Sequence, residues 1–274
     1  MAETLSAERT SENRRSWGAA ALRAYVGLYM LYVLLPIAII VLYAFNSTRY
    51  LIWPPAGLSF QWFEQALSDH RLIDAFTNSM VIAFATMILC TVLGLGFAYG
   101  LVRYKFRGKT VLETFNLLPI ITYGVISGLS LLLLFRTAGL PTGVPATIIG
   151  HTVFIMPFAV LMIVARLTDF DTALEDAAMD LGAKPLRTFF DITLPLILPA
   201  VMAAALFSFT LSLDEFIIAF FLIGNELTLP VYLFAMMRFS FTPAVNAIAT
   251  IIIGLSVLLV AMIGIFFKRV DFRF

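Results

Sequence analysis

The 274-residue chain is 61% hydrophobic and only 13% charged, about half the charged share of a soluble globular domain, which excludes water as the solvent of its main body. A formal net charge of +1 says nothing by itself; a membrane protein sorts Lys and Arg by side, so the distribution of charge carries the information, and no nucleic-acid partner is expected. A bilayer core of about 30 Å takes roughly 20 apolar residues per helix, and a chain of this length supplies several such spans.

Residues 1–23 are polar, carry Arg9, Arg14, Arg15 and Arg23, and read as a cytoplasmic N-terminal tail. The apolar run that follows, Ala24 to Phe45, is too long for the core of a signal peptide and has no small-residue cleavage site after it, so it reads as an uncleaved anchor. Five further runs follow: Phe76 to Val102, Val111 to Phe135, Ala146 to Ala165, Leu194 to Leu222, and Ala247 to Phe267. Backbone groups in hydrocarbon have to be satisfied within the segment, so the runs predict helices. The expected fold is an all-α membrane protein with six transmembrane helices over residues 24–267, a cytoplasmic loop over 168–193 and a C-terminal tail over 268–274.

Orientation follows from the basic residues. The N-terminal segment, the 103–109 turn, the 166–187 region and the C-terminus hold fourteen of the 18 Lys and Arg; the other side holds Arg49, Arg71, Arg136 and Arg238. The positive-inside rule then places both termini in the cytoplasm. Gly96 with Gly100 and Gly124 with Gly128 are small-residue pairs that permit close helix approach, within the subunit or at a seam with another. Pro36, Pro119 and Pro157 each remove a backbone donor and invite a kink. Cys90, the single cysteine, reads as a small apolar residue.

The loop between spans four and five is too elaborate for a connector. Thr172 is placed to cap a helix, Glu175 to close a capping box, and Gly182 to end it in a left-handed conformation. Leu174, Ala177, Ala178 and Leu181 fall on one face as a narrow apolar stripe, with Glu175, Asp176 and Asp180 around it. Small side chains on an acidic cytoplasmic helix suit another protein's groove better than a lipid surface, where bulky aromatics and lysines are expected.

The pattern Asp176-Ala177-Ala178, Gly182, then Ile192-Thr193-Leu194-Pro195 resembles the EAA signature of permease subunits in type I ABC importers. The first signature position is usually Glu, and here Asp176 follows Glu175, so the signature alone leaves open which carboxylate takes the role. The turn Arg103 to Lys109, the segment Ser212-Leu213-Asp214-Glu215, Leu229 to Tyr232 and Thr242 to Ala247 are similar to the spermidine/putrescine, PotC-like, branch, although Ile120 stands where that branch often has Asp. The resemblance covers nearly all of the chain after the N-terminal tail. It implies that Glu175, Asp176, Ala177, Ala178, Gly182, Ile192, Leu194 and Pro195 form the element that couples the permease to an ATPase. It also implies a multi-pass bacterial inner-membrane protein working by alternating access. The implied partners are a second permease subunit, two ATPase subunits carrying ATP and Mg, and an extracytoplasmic binding protein, with no cofactor on this chain. Opines, amino acids, sulfate and iron remain alternative substrates at this point, and a secondary transporter or channel is the rival class.

Gly108-Lys109-Thr110 resembles the end of a phosphate-binding loop, but Arg103 occupies the position of its first glycine, so the motif fails. His70 and His151 are isolated, no HExxH is present, and neither a catalytic nor a metal site is expected. Asp214 and Glu215 are acids within a predicted span and therefore substrate-path candidates, with helix packing as the alternative.

Overall fold

The computed structural model describes the backbone of residues 2–50, 52–54, 56–239 and 243–269, with side chains over 22–238 apart from 51 and 55, and at 243–254, 257 and 258. Regular structure among these residues is helical, apart from a lone antiparallel bridge between Asn46 and Leu58. The chain divides into two units, residues 1–69 with 236–274, and residues 70–235.

The first unit contains α1 (Ala2–Ala44), α2 (Gln61–Ser68) and α12 (Pro243–Arg269), with α12 packed against both of the others. The predicted N-terminal tail is the first half of α1: its Ala, Glu and Arg content favours helix, so the polar segment runs without a break into the apolar one. From Leu22 to Ala44 α1 is long and apolar enough to span a membrane. After α1 the chain is tied by Asn46, whose buried amide donates to the Tyr50 carbonyl at 2.9 Å and accepts from the Ala56 N–H at 3.2 Å. The sixth predicted run falls inside α12, and residues 270–274 of the predicted C-terminal tail lie outside the described residues.

The second unit is built on α3 (His70–Arg103), α6 (Val144–Thr168) and α9 (Leu194–Asp214), which pack mutually. Cys90, Ala98, Ile155, Ala159, Ile163, Leu167, Ile197 and Ala204 are fully buried between them. Alanines bring the backbones close, and a methyl group on Gly94 would already touch Ala159 at 3.4 Å. Cys90 is thus a packing residue, its thiol 3.8 Å from the Thr152 carbonyl. Close to the C-terminal end of α9, Ser212 shares a 2.8 Å hydrogen bond with buried His151 of α6.

The third predicted span is not one helix. It forms α4 (Lys109–Ile121) and α5 (Gly124–Thr137), bent 110° from one another. Thr122 and Tyr123 between them are extended, with ψ 131° and 134°, and the Thr122 hydroxyl and N–H both return to the Leu118 carbonyl. α5 then lies on α10 (Ile217–Leu222), where Gly124 faces Ile217 and Gly128 faces Phe221. That glycine pair is therefore a contact inside the subunit. Gly96 and Gly100 instead have open space where a side chain would be, and line an apolar groove with Phe97, Phe106 and Met156.

The fifth predicted span also differs at both ends. Helix begins at α8 (Pro185–Thr188) and passes through a π-helical turn, Phe189–Thr193, into α9, so the whole runs Pro185–Asp214. It stops at Asp214, Glu215 is extended at ψ 107°, and the remainder of the predicted span is the separate α10. α7 (Ala173–Asp180) and α11 (Leu229–Phe239) complete the order. Among the described residues four helices are long and apolar enough to cross a membrane, or five if the bent α4–α5 pair is one broken span.

Candidate functional site: the α7 loop and the acidic end of α9

α7 forms where the sequence places it, but its first turn is built differently. Thr172 is helical and its side chain caps nothing; Asp171 accepts from the Ala173 N–H at 3.0 Å instead. Glu175 does not close a capping box, because its carboxylate is drawn to a guanidinium, where both partners carry charge, rather than to a neutral backbone N–H. The end of the helix is as expected: Gly182 has φ +89°, its N–H reaches the Met179 carbonyl at 2.9 Å, and the Ala183 N–H reaches Ala178 at 3.0 Å. These paired bonds form a Schellman motif.

The predicted stripe faces outward from the chain. Leu181 is 90% exposed, Leu174 and Ala177 are exposed, and Ala178 is half-buried. Asp176 and Asp180 are exposed beside them. Leu186, at 73% exposure, extends the apolar patch beyond the helix.

Glu175 points the other way. Arg103, the last residue of α3, places Nη2 at 3.0 Å from Glu175 Oε1, and the Thr193 hydroxyl donates to the same oxygen at 2.5 Å. The Arg103 and Glu175 side chains are only 13% and 10% exposed. The Phe170 ring lies 5.2 Å from the guanidinium carbon as a cation–π partner. Ile192 and Leu194, half-buried, and Pro195, exposed, sit at the joint of the π-turn and α9 next to Thr193. The structure thus turns Glu175 onto Thr193, the residue between Ile192 and Leu194, and leaves Asp176, Ala177 and Gly182 on the open face. Arg103 is the member that the signature did not bring in, since 72 positions separate it from Glu175; Thr193 lies within the signature, but its bond to Glu175 across 18 positions is not readable from spacing.

Asp214 and Glu215 stand at the end of α9 and part company. Glu215 turns back onto α10, its Oε1 accepting the N–H groups of Ile217 at 3.0 Å and Ile218 at 3.1 Å, which caps that short helix. Asp214 is exposed. Near the start of α3, Arg71, Asp74, Asn78, Asn225 and Glu226 line a polar cleft of about 560 Å³. Asn78 ties it to the Leu227 carbonyl at 3.0 Å. Among the described residues no group of His, Cys, Asp and Glu could hold a metal ion.

Residues 90–272 match the family of binding-protein-dependent transport system inner membrane components. The chain belongs to that family. The permease is 36% identical to the spermidine/putrescine transport system permease protein PotC of Haemophilus influenzae, over 87% of this chain and 93% of that protein. Against the putrescine transport system permease protein PotI of Escherichia coli K12 the identity is 39%, covering 84% and 83%. Its fold is similar to a chain in the crystal structure of a bacterial ABC transporter involved in the import of the acidic polysaccharide alginate, at a TM-score of 0.75, 18% identity, and 92% and 97% coverage. The permease is therefore an inner-membrane transport subunit and does not itself catalyse a reaction.

Proposed function

We propose that this permease forms, with a second and homologous permease subunit, the membrane path of an ATP-driven importer for polyamines. Two ATPase subunits bind and hydrolyse ATP with Mg, and an extracytoplasmic binding protein delivers the substrate. α7 is the coupling helix. The observation that carries this is its open face: a short helix closed by a Schellman turn turns its leucines and small residues outward, where an ATPase groove can receive them. Closure of the ATPases displaces α7, and the spans expose the path alternately to the two sides.

The relatives named for spermidine and putrescine support the polyamine reading, as does Asp214, an exposed carboxylate at the end of a helix whose other side chains are uncharged. Polyamines are cations at neutral pH, and an exposed acid at the end of an apolar helix attracts them. In the cleft Asp74 and Glu226 outnumber Arg71, which leaves an acidic excess of the same sign.

Uptake by the complete complex in proteoliposomes tests this. Putrescine or spermidine should accumulate in an ATP-dependent manner, and unlabelled polyamine should compete where sulfate does not. Competition by sulfate alone excludes the polyamine reading, and flux through this chain without ATPase subunits excludes the importer class.

A further inference from the structure

We propose that Arg103, Glu175 and Thr193 form a strut that makes α7 move as one body with the end of α3 and the head of α9, so that Glu175 positions the coupling helix while Asp176 is left to face the partner. This rests on reading α7 as the coupling helix.

Among the residues of α7 only Glu175 is buried. Its apolar side chains are exposed apart from half-buried Ala178, so the one fully buried attachment of the helix is a carboxylate. One oxygen of that carboxylate receives a donor from α3 and another from the π-turn, which joins three elements at a single atom. The pair is desolvated, and removing either charge strands the other. Arg103 Nε has no hydrogen-bond partner among the described residues, so Glu175 is the group that holds this guanidinium, with Phe170 stacked upon it. The π-turn supplies the third contact: its wider ring sits where Thr193 reaches Glu175, and such turns are frequent at functional sites. Without the strut, α7 keeps its packing on α8 and the π-turn but has no side-chain bond to the end of α3. A push on its open face then leaves α3 where it was.

The expected consequence is uncoupling. In the reconstituted complex Glu175→Gln and Arg103→Gln should lower substrate moved per ATP hydrolysed by about fivefold or more, the range of ordinary intersite coupling. Bound ATPase subunits and ATP turnover should persist. Asp176→Asn should instead weaken ATPase association and leave the ratio unchanged. Thr193→Val removes one donor without altering charge and should lower the ratio by a smaller factor. Because a charge variant can fail to assemble, Thr193→Val decides in that event: a normal ratio overturns the strut.

Spin labels at Lys105→Cys and Asp171→Cys, in a Cys90→Ala background, give a second readout. Their separation should stay narrow and constant between nucleotide-free and ATP-bound states and broaden in Glu175→Gln. A distribution that is equally broad in both proteins overturns the proposal. Leu181→Asp tests the coupling reading separately: if ATPase subunits still bind and turn over normally, α7 is not their dock, and the label distances still report whether α7 follows α3.

Discussion

At Gly150 the structure leaves no room for a single methyl group. A Cβ there would lie 2.4 Å from Leu222 Cδ1 and 2.8 Å from Ile218 Cγ2, both fully buried where α10 packs on α6. Gly150→Ala should destabilise the purified permease by about 1–3 kcal/mol, read as a lower thermal midpoint in detergent. Gly96→Ala meets nothing within 4 Å and, as a relief of helical glycine, should be neutral or stabilising by up to about 1 kcal/mol. Equal losses in both variants would contradict the packing described here. The two acids at the end of α9 differ in the same residue-specific way. Asp214→Asn should reduce polyamine uptake with assembly intact. Glu215→Ala should loosen α10, at about 0.5–2 kcal/mol for a lost cap, while Glu215→Gln keeps an accepting oxygen and should do less. Matched uptake and melting measurements on the three variants check this, and unchanged uptake in Asp214→Asn removes it from the path.

α7 shows how an element is set by its ends. Gly182→Val asks a β-branched residue to hold φ +89°, which strains the Schellman turn and redirects the loop into α8. The variant should insert into the membrane normally yet lose ATPase association or substrate uptake; normal transport at matched expression would show that this turn does not matter to coupling. Gly182, the apolar stripe and the helix itself are readable from residue type and spacing, because capping glycines and helical periodicity are local. The capping box is not, since Glu175 has two local roles open to it and a guanidinium 72 residues away decides between them. Hydropathy likewise sees Val111 to Phe135 as one run, because Thr122 and Tyr123 break the helix through two ψ angles and change the apolar sum hardly at all. The fifth run hides its break for the same reason: Asp214 and Glu215 signal charge, while Glu215's turn onto α10 is a matter of backbone direction.

For the molecule as a whole, membrane character and its helical answer follow from composition, whereas its division into two units does not. Hydropathy ranks α1 and α12 with the other spans and says nothing of which helices pair, because pairing depends on which faces meet. The basic residues do bear on orientation: with fourteen of 18 assigned to one side, a reporter fused to the C-terminus should be active in the cytoplasm. Activity in the periplasm instead would overturn the even number of crossings. The first helix to leave the ribosome packs against the last, about 200 residues later, and at 5–20 residues per second that is a wait of roughly 10–40 s. During that interval α1, with no partner yet made, rests on lipid or on the insertion machinery. A nascent chain halted after α11 should therefore leave α1 open to cross-linking with the translocon or a membrane chaperone, and the synthesis of α12 should release it.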